Sequence, residues 1–338
     1  MKFAFAAFVS AVLAAPVADA EPAGLSAISM FAPHHQRAVE GAVFYPTSGE
    51  GAPTRFGANA VFEGVDVREG ALLREGRHPI VLLSHGLGGN IRTLGWLAAG
   101  LAGRGAVVMM LNHPNSTTGD YNFLAGLNHG TRAQDLSIAL EALIAEPSFA
   151  GNLDTSRVMA AGFSYGGWTA LSLGGVTGNL DGYIAHCEAR GAASSHCADI
   201  LNADVSLSAL SPDTWNTSYA DPRVTHVAAI DPGLVWGLDA SNVAEVVDNV
   251  RLISLGDTGT RLLATDVALS GFAALLPHAT VSEIAPAAHF TALPPCTDIG
   301  AELLAEEGDD PVCTDPAGTD RRAVHAEIID HLASDLGL

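Results

Sequence analysis

Lysine is all but missing from this chain. Of 338 residues only Lys2 is a lysine, and lysine and arginine together number 16 against 37 aspartates and glutamates. The formal net charge of −21 leaves no basic face for nucleic-acid phosphates or an anionic membrane surface, since both require clustered cations. The acidic excess reads as a solvated surface. Cysteine is scarce as well, at 4 residues, and no pair has C-x-x-C spacing. That argues against a structural zinc site, while the even count suits disulfides formed in an oxidising compartment. Of the possible pairings, the sequential one joins Cys187 to Cys197 and Cys296 to Cys313, closing two short loops.

Long apolar runs are absent too. Phe3 to Leu13 is too short to span a bilayer, and no later segment is uninterrupted over the necessary length. That run follows a cationic Met1-Lys2 and precedes Ala18-Asp19-Ala20, an A-x-A cleavage pattern. Residues 1–20 therefore read as a signal peptide cut after Ala20, with no cysteine nearby to carry a lipid. The mature part, 21–338, is expected to be secreted or periplasmic and to form one domain, with 48% hydrophobic residues to fill its core.

What is present alternates. Short β-like runs such as Ala42–Pro46 and Val65–Val67 come first, as antiparallel edge strands. Continuous apolar runs of the buried parallel type follow at Pro79–Ser84, Ala106–Leu111, Arg157–Ala161, Thr225–Ile230 and Arg251–Leu255, with a shorter one at Thr280–Ile284. Helical patterns separate several of them, at Leu94–Leu101, Thr131–Glu146, residues 262–276 and Arg322–Leu336. Strands alternating with helices predict an α/β fold with a mostly parallel, doubly wound sheet. Residues of about 176–223, between one helix and the next strand, are long enough to form a cap-like insertion. His34 and His35 fall in a loop-like stretch and read as surface histidines. His113 follows a strand end and reads as a residue that orders its loop, with lining the site as the alternative.

The sequence is organised around Gly162-Phe163-Ser164-Tyr165-Gly166, a G-x-S-x-G elbow at the end of an apolar strand. Glycines at both flanks permit a turn tight enough to present the serine hydroxyl clear of the backbone. Tyr165 then offers a backbone N–H at the positive end of the new helix. A second such donor is expected from Leu87, in the glycine-rich loop His85-Gly86-Leu87-Gly88-Gly89. A serine hydroxyl needs a base, and His289 stands in the loop after the last strand, where the order Ser, acid, His places it. Two carboxylates end strands at the right edge, Asp231 and Asp257. Asp231 is the favoured acid and Asp257 the alternative, read as a loop-capping residue.

These residues carry a resemblance. His85-Gly-Leu-Gly-Gly, Asn112-His-Pro, Arg132-x-x-Asp135, Gly162-Phe-Ser-Tyr-Gly-Gly and Ala288-His289-Phe resemble the bacterial predicted dienelactone hydrolases and the related platelet-activating factor acetylhydrolases, over about residues 40–295. The resemblance implies the α/β-hydrolase fold, oxyanion donors at Leu87 and Tyr165, and an acid from the earlier strand end, Asp231. The chain departs in carrying Ser164 where dienelactone hydrolases have cysteine, and Gly259 at the acid position usual in the bacterial branch. The expected activity is that of a serine carboxylesterase on small or short-acyl esters, with a small molecule as partner and no metal or organic cofactor. Lipid deacylation and amide or peptide hydrolysis share the same triad and remain alternatives. A binding module that has lost its chemistry is the reading from another class.

Overall fold

The computed structural model describes residues 22–338; the expected signal peptide lies outside the described residues. Its centre is a sheet of ten strands. In chain order the strands are β1 (Ala23–Ala32), β2 (Arg37–Tyr45), β3 (Ala52–Phe56), β4 (Val65–Glu69), β5 (His78–Ser84) and β6 (Val107–Leu111). A two-stranded hairpin, β7 (Ser116–Thr117) and β8 (Asp120–Tyr121), stands apart, and β9 (Leu153–Phe163), β10 (His226–Ile230), β11 (Asn249–Leu255) and β12 (Thr280–Ile284) complete the large sheet. The spatial order is β12-β11-β10-β9-β5-β6-β2-β1-β4-β3. From β12 to β6 every neighbouring pair is parallel, while β2 runs antiparallel to both β6 and β1.

The helices are α1 (Gly95–Arg104), α2 (Phe123–Gly126), α3 (Gly130–Ala145), α4 (Tyr165–Leu173), α5 (Leu180–Arg190), α6 (Ser195–Asn202), α7 (Pro212–Trp215), α8 (Phe272–Leu275), α9 (Gly300–Glu307) and α10 (Arg321–Asp335). The strand pleat decides which helix lies where. Ile80, Leu82, Val107, Met109, Val158 and Ala160 point to one face, onto Leu136, Leu140, Trp168 and Leu171 of α3 and α4. Their neighbours Val81, Leu83, Val108, Met110, Met159 and Ala161 point to the other, onto Leu97 and Leu101 of α1 and Ile328 and Leu332 of α10. Both faces of β5 and β6 are buried along their whole length, which is why these strands read as unbroken apolar runs rather than alternating ones.

α10 closes the second face and ends beside the amino-terminal edge of the parallel strands. There Arg157 donates from Nη1 to the Leu336 carbonyl at 2.7 Å. Among the described residues no helix is long and apolar enough to cross a membrane. Both expected disulfides are formed, Cys187–Cys197 and Cys296–Cys313.

Two local expectations are corrected. Residues 262–276 do not form one helix; only a short 3-10 turn at Leu263–Thr265 and α8 are helical. The Asp266 carboxylate accepts the backbone N–H groups of Ala268 and Leu269 at 3.0 and 2.9 Å. A side chain that bonds its own following backbone offers the chain an alternative to the helix. Gly271, left-handed at φ 79°, then blocks continuation. His34 and His35 are not free surface residues either, because both lie against the buried Asp135 of α3.

Candidate active site

The turn at Ser164 is built by close backbone approach. Its φ of 57° and ψ of −119° are strained for a residue with a side chain. Three main-chain hydrogen bonds fix it: Ser164 N–H to the Ile230 carbonyl at 2.9 Å, and Gly233 and Trp168 N–H to the Ser164 carbonyl at 3.0 and 3.2 Å. A Cβ at Gly162 would strike the Gly166 backbone, and one at Gly166 would strike the Ser84 carbonyl. Both elbow glycines are therefore required by space, since β9, α4 and the end of β5 meet there.

His289 opens a 3-10 turn after β12, and its Nε2 lies 3.1 Å from Ser164 Oγ. On the other side of the ring, Nδ1 lies 3.0 Å from Asp231 Oδ2. Asp231 directly follows β10, is fully buried, and its Oδ1 accepts the Leu255 N–H at 2.7 Å. With both carboxylate oxygens engaged, the acid is held in one orientation. Asp257 is exposed and turned to its own loop, accepting the Gly259 N–H at 2.8 Å. Ser164, His289 and Asp231 thus form one hydrogen-bonded chain, and Asp257 is not part of it.

The turn that carries His289 has its own support. The Thr291 hydroxyl accepts the Ala288 N–H at 2.9 Å and donates to Asp315 at 2.7 Å. Asp315 is in turn gripped by Arg321 through Nε at 2.9 Å and Nη2 at 3.0 Å. The His289 ring also rests on Phe163, with centroids 4.5 Å apart.

Leu87 sits in the loop after β5. Gly88 N–H donates to the Ser116 carbonyl at 2.9 Å and Gly89 N–H to the Gly86 carbonyl at 3.1 Å. Among the described residues, neither Leu87 N–H nor Tyr165 N–H donates to a protein acceptor. Beneath this loop the fully buried Arg132 donates to Ser84 Oγ at 3.0 Å, to Ser116 Oγ at 3.1 Å and to the His85 carbonyl. Burial lowers the Arg132 guanidinium to about 10. His113 is buried below the same loop, bonded to Ser84 and Asp135 at 3.0 and 2.9 Å, and does not line the cavity.

Ser164 and His289 face a cavity of about 700 Å³. Tyr183, His196, Asp199 and Ile200, from residues 176–223, form part of its wall. Leu304, Asp309 and Asp310, within the loop closed by Cys296–Cys313, also line it. Burial keeps the His196 imidazole down at about 4. Sequence reasoning missed these wall residues. They follow no local motif, and the cysteines beside them, Cys197 and Cys313, are the one signal that marked both stretches.

No protein-family model matches the sequence, and no curated protein matches it. Solved structures do. A ferulic acid esterase from Streptomyces cinnamoneus is 17% identical, with 96% of this chain and 91% of that one covered, at a TM-score of 0.58. A dienelactone hydrolase-like promiscuous phosphotriesterase from metagenomic libraries is 15% identical, with 92% and 98% covered, at a TM-score of 0.50. The chain has the α/β-hydrolase fold.

Proposed function

We propose that this α/β-hydrolase-fold chain is a serine carboxylesterase acting on small or short-acyl esters. The observation that carries the reading is the chain from Ser164 Oγ through His289 to Asp231, with distances of 3.1 and 3.0 Å, facing a cavity. His289 Nε2 takes the hydroxyl proton as Ser164 attacks the ester carbonyl. Asp231 holds the other ring nitrogen protonated and stabilises the imidazolium. The Leu87 and Tyr165 N–H groups receive the oxyanion, and their lack of protein acceptors supports that role. His289 then protonates the leaving alcohol, and water releases the acyl group by the same steps.

The cavity supports an ester with apolar or aromatic character, since Tyr121, Phe123, Tyr183 and Phe290 line it. Residues 176–223 act in this reading as a cap that selects substrates. Two disulfides support a secreted or periplasmic site of action. One structural neighbour is named a ferulic acid esterase and another a phosphotriesterase, so aromatic acyl esters and a phosphotriester belong in the substrate panel.

The test is hydrolysis of p-nitrophenyl esters from acetate to palmitate by wild type and Ser164→Ala, paired with organophosphate labelling. Turnover peaking at short chains, lost with Ser164→Ala together with the label, is expected. Absence of turnover and of labelling in the folded wild type would overturn the esterase reading in favour of a binding role.

A further inference from the structure

Away from the cavity, the turn between β1 and β2 brings two imidazoles onto one carboxylate. His34 Nε2 lies 2.8 Å and His35 Nε2 3.1 Å from Asp135 Oδ1, and one donor atom from each residue falls within 4.8 Å of the others. None of the three residues lines the cavity beside Ser164. The turn is held by His35 N–H to the Ala32 carbonyl at 3.1 Å and Gln36 N–H to the Pro33 carbonyl at 3.2 Å. Gln36 adopts a left-handed φ of 54°, so the two rings are aimed by a fixed backbone rather than by a loose loop.

His34 makes a hydrogen bond to Asp135, but His35 does not. Its side chain is only 6% exposed, and Nε2 has no hydrogen-bond partner although it stands 3.1 Å from the same oxygen. A buried ring nitrogen left unpaired is costly. Two imidazole nitrogens and a carboxylate oxygen within 4.8 Å of one another make a donor set of the kind that takes a transition-metal cation.

We propose that His34, His35 and Asp135 bind a divalent transition-metal ion, zinc foremost, that fastens the β1–β2 turn to α3. Mixed nitrogen and oxygen donors suit zinc, whereas calcium and magnesium ask for oxygen alone. Donors about 2.0 Å from a tetrahedral ion stand about 3.3 Å apart, so binding asks His34 to move off Asp135 Oδ1 by about half an ångström, His35 to move less, and the two rings to settle at the same spacing from each other. The other carboxylate oxygen is bonded to His113 Nδ1 at 2.9 Å, the kind of outer partner that orients a ligating group. The His34 side chain is the most exposed of the three, at 17%, so ion and water enter from its side and water takes the fourth position. The bound ion stiffens β1, β2 and α3, and takes no part in ester cleavage.

The proposal is tested on the full chain after chelator treatment and dialysis against zinc chloride alone, with bound metal counted by mass spectrometry. Wild type and His331→Ala, a control on α10 where His331 pairs with Glu327, are expected to retain one equivalent and to melt higher with zinc. His34→Ala and His35→Ala are expected to lose both properties while keeping the wild-type circular dichroism spectrum. His34→Gln, which retains a polar partner for Asp135, is expected to lose the metal as well. Cobalt in place of zinc adds a visible spectrum that reports coordination directly. No zinc on the wild type, full retention by both turn variants, or loss confined to His331→Ala would each overturn the proposal.

Discussion

Asp231 and Asp257 carry the same functional group at the ends of neighbouring strands, and their surroundings set them apart. Asp231 is sealed between the Leu255 N–H and the His289 ring, while Asp257 spends its carboxylate on its own loop in solvent. Under the proposed mechanism, Asp231→Asn lowers kcat by about 10⁴-fold, as loss of the orienting acid does in serine protease triads. Asp257→Asn stays within about 2-fold. Steady-state kinetics on one short ester decides between them, and the reverse ranking would move the acid to Asp257. The elbow glycines predict differently. Gly166→Ala forces a methyl group onto the Ser84 carbonyl, so it is expected to cost about 3 kcal/mol in urea unfolding, in addition to its effect on turnover. The elbow at Ser164 and the loop position of His289 were legible in sequence because a tight strand-to-helix turn imposes glycine spacing. Which carboxylate meets the His289 ring was not fully legible. It depends on which strand end lies under the histidine, and that follows from β10 and β11 pairing in register at Ile230 and Ile253.

At the level of elements, the central parallel strands such as β5 and β6 were read from their apolar runs because both of their faces are covered. β1 and β3 gave weaker signals, since β1 alternates buried with exposed residues along its second half and no residue of β3 is buried. α9 was missed for a related reason: it lends Leu304 to the cavity wall rather than a face to the core, and only Gly300 and Leu304 in it are buried. It is held by the Cys296–Cys313 bridge, by Thr297 N–H to the Val61 carbonyl at 2.9 Å and by the Phe62–Cys296 pairing. Opening that loop, whose cysteines are 17 residues apart, by replacing both cysteines with serine is expected to cost about 3 kcal/mol. It should also raise KM more than it lowers kcat, because the wall moves while Ser164 and His289 stay in place. An equal fall in kcat with KM unchanged would show that α9 serves the chemistry rather than the fit.

The stability of the whole molecule carries a pH signature. His129, enclosed by Trp168, Trp215 and Tyr219, is lowered by burial to about 4, as is His325, stacked at 3.6 Å on Trp96. Both are neutral when folded and gain a proton on unfolding once the pH falls below the ordinary histidine value of 6.5. Their contribution is therefore complete above pH 6.5, declines between 6.5 and about 4, and is flat below. Urea midpoints measured across that window should fall with pH, and His325→Gln should make the fall shallower; an unchanged slope would contradict the assignment. The charge of −21 adds a second global effect. Self-repulsion is screened by salt, so the melting temperature is expected to rise between about 0.05 and about 0.5 M sodium chloride.

The position of the end of α10 has a practical consequence. Arg157 fastens Leu336 at the edge of the sheet where the parallel strands begin, whereas Ser164, Asp231 and His289 all stand where strands finish. A tether beside Leu338 thus leaves from the back of the molecule. Protein fixed to a solid support through that point turns the strand ends that carry Ser164, Asp231 and His289 toward the bulk liquid.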